Sequence, residues 1–489
     1  MSGRVSKCAL FARLPPPWGE DLRGHSRAAV AARPNHKLVV LDDDPTGTQT
    51  VYDVPVLTTW DVDSLRAEFA RPGHCFYILT NSRSLTPDKA VALNREIARN
   101  LREAVWRAGG YDAEPAHARQ LCCQAFTLVS RSDSTLRGHF PIETNALVEE
   151  LGPFDATILI PYFEDGGRYT INDIHYIAEN DELVPVAETP FARDAAFGYG
   201  SANLRDYVEE KTGGAVKAAE VVSFSIEELR TASPRHEPTR QVLLKLFNLQ
   251  HGKTAIVNAC VPADAEFFAL ATLHGENAGG RYLFRTAAQF VAARIGLEPR
   301  PLLKGSDLHR PSGTGGLIVV GSYVPKSTEQ LACLLEHADV APVELPVESV
   351  REETSAAGVI GVAVSKLETL LQSGRDAVLF TSRQLVTGRD AEESLRIGQR
   401  VSAALVEIVS RLATPPRFFV AKGGITSSDL ATRALGLRRA VVRGQILPGA
   451  PVWRLGPESR FPGLDYVVFP GNVGGKEALL EVHRTLNAP

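Results

Sequence analysis

Residues 37–50 read KLVVLDDDPTGTQT, and the architecture of the chain can be worked outward from them. Leu38, Val39, Val40 and Leu41 form a short apolar run with a β-branched centre, which predicts a buried strand. Three carboxylates, Asp42, Asp43 and Asp44, stand at its C-terminal end, and Pro45 and Gly47 turn the chain at once. In an open α/β sheet, ligands bind outside the carboxyl ends of the strands. Three adjacent like charges are unfavourable there unless a cation offsets them or one carboxyl keeps its proton. The plain alternative is a solvated acidic turn capping the strand.

The same grammar recurs three times. CFYILTNSRSL at 75–85 is an apolar run ending in polar residues and Arg83. FTLVSRSDSTLRGHF at 126–140 ends in Ser130, Arg131, Ser132, Asp133, Ser134 and Thr135, followed by Arg137, Gly138 and His139. ATILIPYFEDGGRYT at 156–170 carries Glu164, Asp165, Gly166, Gly167 and Arg168 in its polar tail. Helices are predicted between some of these runs, over 60–70 with Asp61 near the cap and over 88–105, while 54–58 is expected to pair as a strand. Strands that each end in an Arg-, Asp- and Ser-rich loop predict a parallel sheet whose strand ends share one rim. A lone arginine after a strand is usually a surface residue, but four in equivalent places suggest recognition of carboxylate or phosphate through the guanidinium fork. Acids and arginines on one rim point to a small anionic, polyhydroxylated ligand.

Size and composition limit the possibilities. A chain of 489 residues is too long for one comfortable core, so two or three domains are expected. With 44% hydrophobic and 22% charged residues and a net charge of −4, nothing favours a nucleic-acid or membrane partner. No apolar run approaches membrane-spanning length. The six cysteines lack metal-ligand spacing, which suits free thiols in a reducing compartment, so a cytoplasmic protein is expected. Residues 1–36 are richer in arginine than in acid, as a presequence is, but Pro15, Pro16, Pro17, Glu20 and Asp21 break that pattern. They are read as a packed lead-in.

At 297–316 the sequence turns rich in Pro, Gly and Ser, which places a linker there, between a first domain over 37–296 and a second over 317–489. The second half repeats strand, glycine turn, helix: a strand at 317–320 with Gly321 and Ser322 and a helix at 327–337; a strand at 418–421, a loop at 422–426 and a helix; a strand at 466–469, a loop at 470–475 and a helix at 477–482. A strand near 376–383 and a long helix over 391–412 complete it. Glycine turns let backbone N–H groups approach phosphate oxygens, so three in one domain suggest a nucleotide site, although each alone is more often turn geometry. No GxxxxGK[ST] or GxGxxG is present, so neither a P-loop nor a dinucleotide fingerprint carries this reading.

Taken in order, DDDPTGT, TNSRSL, SRSDST with LRG, FEDGGR, AKGGITSSD and PGNVGG resemble the four-carbon acid sugar kinase family, over nearly the whole chain from about Lys37 onward. The resemblance implies an α/β protein of two domains, each a mostly parallel sheet flanked by helices, with the active site in the interdomain cleft. It implies an N-terminal sugar-acid-binding domain, a C-terminal nucleotide-binding domain and ATP-dependent phosphorylation of the terminal hydroxyl of threonate, erythronate or a related acid. A non-catalytic sugar-acid sensor, or a kinase for another sugar acid or polyol, is the alternative. Asp43, Asp44, Thr46 and Gly47 match the family's DD-x-TG signature, Asp133, Ser134 and Thr135 its DST segment, and Gly167 with Arg168 its GR turn. Ser322, Gly423, Gly424, Thr426, Ser427, Gly471 and Gly474 fall where the family contacts ATP. Here Ile425 stands in place of the family's usual Glu after the glycine pair.

Phosphoryl transfer needs positioning and charge neutralisation more than covalent chemistry. Asp43, Asp44 or Asp133 is therefore the expected base toward the attacking hydroxyl, with Arg83, Arg131 and Arg168 holding the substrate carboxylate. Mg²⁺ is expected on the phosphates with few protein ligands, none assignable from sequence. The expected partners are the small molecules, with a homodimer as the expected assembly.

Overall fold

The computed structural model describes residues 3–231, 240–309, 313–351, 353–383 and 391–488. The chain forms two compact units, Met1–Val51 with Thr59–Pro299, and Tyr52–Thr58 with Arg300–Pro489.

The first unit is built on a parallel sheet in the order Val222–Phe224, Lys253–Val257, Ala156–Ile160, Tyr282–Thr286, Phe126–Arg131, Lys37–Asp42 and Cys75–Leu79. Lys37–Asp42 is buried along its whole length, as a strand covered on both faces must be. Register sets the rim. Asp42 lies opposite Arg131 on one side and Leu79 on the other, and Arg131 lies opposite Thr286. The polar tails therefore leave the sheet at one level. The helix Pro87–Ala108 starts with proline in its first turn, where a missing N–H costs nothing. It buries Ala90, Asn94, Ile97, Leu101 and Val105 along one stripe. Val62–Ala70 begins at Asp61, whose side chain accepts from the Ser64 N–H as an N-cap.

Residues before Lys37 pack within this unit. Val5–Ser6 pairs antiparallel with Glu182–Pro185, at one side of a small sheet that continues through Ile174–Glu179 to Arg168–Ile171. Trp18 stacks on Phe267 at 5.1 Å between ring centroids and donates to the Leu229 carbonyl. The polar tail expected after the fourth strand thus ends early. The Gly167 N–H closes a turn onto the Glu164 carbonyl, and Arg168 becomes the first residue of a strand.

The second unit has the strand order Pro55–Leu57, Arg439–Leu447, Ala450–Leu455, Asp465–Phe469, Phe419–Lys422, Leu317–Val320, Ala377–Thr381 and Ala341–Leu345. The last five run parallel and the first three are joined antiparallel. Pro55–Leu57, expected within the first domain, falls in the second unit, where it pairs antiparallel with Arg439–Val441. This pairing, Arg439 with Leu57 and Val441 with Pro55, joins segments far apart in the chain, which no local pattern encodes. Arg439–Leu447 alternates buried and half-buried residues, the period of a strand with one face on a core. That core gathers Ile318, Val320, Leu331, Val420, Val467, Phe469 and Leu479. Among the described residues, no helix is long and apolar enough to cross a membrane.

Candidate active site

The acidic triplet separates into three different environments. Asp42 is 1% exposed, and its carboxylate folds back against the next turn. A Cβ on Gly47 would lie 2.1 Å from an Asp42 oxygen, so only glycine allows this approach. Burial pushes the Asp42 carboxyl up to about 7; the Arg131 guanidinium at 3.1 Å opposes that, and the charges of Asp43 and Asp44 add to it. Asp43 is the most fully bonded. Arg83 donates to both of its oxygens, at 2.5 and 3.2 Å, and the Ser132 hydroxyl donates at 2.6 Å. Asp44 caps the short turn Pro45–Thr50, accepting from the Thr46 N–H at 2.9 Å and hydroxyl at 2.5 Å. Its side chain keeps 22% exposure against 3% for Asp43. Burial would raise the Asp44 carboxyl, but the Arg83 charge and the Thr46 hydrogen bond prevail and hold it below its ordinary value.

Asp133 extends this lattice. Arg137 donates to it at 2.7 Å, the Thr135 hydroxyl donates to the same oxygen, and Arg83 lies 4.0 Å from the other. Burial opposes ionisation, yet Arg83 and Arg137 hold the Asp133 carboxyl well below the usual range. Thr135 is itself buried, and its hydroxyl bond helps orient Asp133. Ser134 is half-buried, and its carbonyl accepts from buried His175.

The three arginines singled out from sequence divide sharply. Arg83 is committed to Asp43 and lies within 3.5 Å of Asp44, and Arg131 is committed to Asp42. Arg168 has no ion-pair partner among the described residues. Its Nε is buried without an acceptor, and its guanidinium lies 5.9 Å from the Phe191 ring, beside Arg137 at 5.0 Å from the same ring. Burial lowers the proton affinity of Arg168, Asp133 opposes this and Arg137 adds to it. The side chain is thus a half-buried cation whose strongest anionic neighbour is already engaged elsewhere.

Sequence reasoning missed the layer beneath. Arg285, 8% exposed, donates to Ser132 and Ser130 at 2.8 and 2.7 Å and to Glu143 at 2.8 Å. Glu143 also accepts from the Ser82 hydroxyl at 2.5 Å, next to Arg83. The chain Glu143, Arg285, Ser132, Asp43 thereby ties the 82–84 turn to the 130–132 strand end. Arg285 was legible, since it ends the apolar run YLFRT as Arg131 ends its own; Glu143, inside a helix, gave no signal.

In the second unit, Gly423 caps the helix Gly424–Asp429 at φ +119°, a conformation that favours glycine. A Cβ there would lie 3.1 Å from the Ser322 Cβ, so the 322 and 423 turns are in close contact. Ser327 donates its hydroxyl proton to the Gly471 carbonyl at 3.0 Å, and the Ser322 and Ser327 hydroxyls lie within hydrogen-bond distance at 3.1 Å. Thr426 and Gly471 are half-buried at this cluster. Ser427 is fully buried, its hydroxyl proton shared between the Ala421 and Gly423 carbonyls, both at 2.8 Å. Gly474, at φ +79°, shapes the loop before Ala478–Asn487. Lys422, not anticipated, lies buried at the end of its strand between these turns.

Among the described residues, no three His, Cys, Asp or Glu side chains converge on one metal position. The rim carboxylates are engaged by arginines and hydroxyls and do not fit a protein-held Mg²⁺ site. A magnesium ion arriving with a nucleotide would be carried by phosphate oxygens and water.

No curated protein matches this sequence. A Haemophilus influenzae protein, HI1011, has a similar fold, with a TM-score of 0.61 at 17% identity over 92% of this chain and 100% of that one. A Salmonella typhimurium LT2 protein, provisionally described as a tRNA synthase, gives a TM-score of 0.64 at 14% identity over 92% and 99%. At such identities the likeness establishes the fold alone. Residues 38–294 match the sugar-binding N-terminal domain, and residues 317–479 match the nucleotide-binding C-terminal domain. With the acidic rim inside the first match and the glycine turns inside the second, the chain belongs to the four-carbon acid sugar kinase family.

Proposed function

We propose that this protein is an ATP-dependent kinase that phosphorylates the terminal hydroxyl of a small sugar acid of the threonate or erythronate type. The observation that carries the reading is the asymmetry of the first rim. Arg168 is a cation without a carboxylate of its own, and Asp44 is an accessible carboxylate held below its ordinary proton affinity. A sugar acid has the matching asymmetry, a carboxylate at one end and a hydroxyl at the other.

In this mechanism Arg168 receives the substrate carboxylate through its fork, and Ser134 bonds a substrate hydroxyl. Asp44 accepts the hydrogen bond of the terminal hydroxyl, orients its lone pair toward the γ-phosphorus and takes the proton as the new O–P bond forms and the bond from the γ-phosphorus to the bridging oxygen breaks, releasing ADP. Thr46 keeps Asp44 in position. Asp43 and Asp133 act through the arginines, fixing Arg83 and Arg137 so that the rim keeps its shape without substrate. The nucleotide is held by the turns around Ser322, Gly423, Gly424, Thr426 and Gly471, with Mg²⁺ neutralising phosphate charge when it accompanies ATP. The six free cysteines, four of them buried, suit a reducing cytoplasmic setting.

The test is ADP release from Mg-ATP over a panel of three- to six-carbon sugar acids and their polyols. A four-carbon acid is expected to give the highest kcat/KM. Sugar-acid binding without ADP release from any member would replace the kinase with a sensor.

A further inference from the structure

We propose that Lys422 is the cation that meets the polyphosphate of the nucleotide, an inference that rests on the nucleotide-binding reading of the second unit. Its side chain is fully buried at the carboxyl end of Phe419–Lys422. This strand lies between Leu317–Val320 and Asp465–Phe469, so Lys422 stands where all three glycine turns begin. Its ammonium donates to the Pro470 carbonyl at 2.9 Å and the Gly471 carbonyl at 3.4 Å, and lies 3.9 Å from the centre of the Phe469 ring. Among the described residues it has no carboxylate counter-ion. Burying an ammonium against neutral carbonyls is costly, and tying down a loop does not require a charge.

The surroundings point to an anion as the missing partner. The 13-residue helix Pro325–His337 starts at the same loop, since Ser327 in its first turn donates to the Gly471 carbonyl. Its positive dipole end and the Lys326 ammonium, which donates to the Asn472 carbonyl, add to the positive potential. Arg383, bonded to the Ser322 carbonyl at 2.8 Å, adds a third cation. Burial, with a smaller contribution from Lys326, pulls the Lys422 ammonium down to about 7, the consequence expected of a cation kept without its anion. A nucleoside di- or triphosphate seated on the glycine turns brings that anion within reach of the lysine stem.

The rival is a neutral latch: Lys422 merely ties the 470–471 loop to the sheet. Lys422→Gln separates the two, because its amide can still donate to those carbonyls but carries no charge. Calorimetry on the full-length protein would compare ATP, ADP and adenosine for wild type, Lys422→Gln, Lys422→Met and Lys422→Arg, with thermal melts to establish folding. The expected result is a loss of about 10²-fold in ATP affinity in the neutral variant that folds, less than about twofold for adenosine, and partial recovery with arginine. Unchanged ATP affinity in a folded neutral variant overturns the proposal, as does an equal loss for ATP and adenosine. Failure of wild type to bind ATP, ADP or adenosine would instead remove the nucleotide reading itself.

Discussion

Replacing Arg168 by alanine tests whether the first unit reads a carboxylate. Arg83 and Arg131 are already paired with Asp43 and Asp42, whereas Arg168 has no ion-pair partner among the described residues. A charge-assisted hydrogen bond to such a group is worth about 1.5–3 kcal/mol, or roughly 10- to 150-fold in kcat/KM. Wild type should therefore favour a four-carbon acid over its polyol by about that factor. Arg168→Ala should lower kcat/KM for the acid and leave the polyol nearly unchanged, and Arg168→Lys should restore only part, since an ammonium keeps the charge without the fork. Arg83→Ala behaves differently. It leaves Asp43, 3% exposed, without its guanidinium, a change that typically costs about 3–5 kcal/mol for a buried pair, so acid and polyol should suffer alike and the protein should melt earlier. Steady-state kinetics on both substrates and thermal melts for the three variants decide the matter. Equal damage to acid and polyol in Arg168→Ala, or acid-selective damage in Arg83→Ala, would refute the assignment.

Further expectations concern neighbouring groups. Asp44→Asn should lower kcat by about 10² or more while ATP affinity, measured by calorimetry, stays within about twofold; wild-type kcat in the variant would move the base to Asp133. Gly423→Val forces a β-branched residue to φ +119° with its Cβ 3.1 Å from Ser322, so ATP binding should weaken while sugar-acid binding persists, and the reverse pattern would exchange the roles of the two units. The raised Asp42 carboxyl gives a pH signature. Its folded state holds the proton more tightly than the unfolded chain, so its contribution to stability declines as pH rises from the unfolded value through about 7. Urea unfolding of Asp42→Asn should accordingly gain on wild type between about pH 5 and pH 8, and a difference independent of pH would remove Asp42 as the titrating group.

Much of this protein was legible in the chain because its signals are local. Four-residue apolar runs such as 38–41 and 317–320 declare buried strands, and the 3.6-residue stripe from Val91 to Val105 declares a helix. Polar residues packed after each run announce a rim. The alternation in Arg439–Leu447 was equally local and could have been read. Long-range pairing was not. Pro55–Leu57 has no property that assigns it to the second unit until Arg439–Val441 supplies its ladder. Arg83, Arg131 and Arg168 look alike in sequence; only the fold engages two of them with Asp43 and Asp42 and leaves the third without an ion pair among the described residues. Likewise nothing in AKGG distinguishes a surface lysine from a buried one. The sequence alone determines which groups reach the rim, since strand and turn propensities act over a few residues. Which of those groups are spent and which are free depends on distances between chemically equivalent side chains, and tertiary packing alone sets those distances.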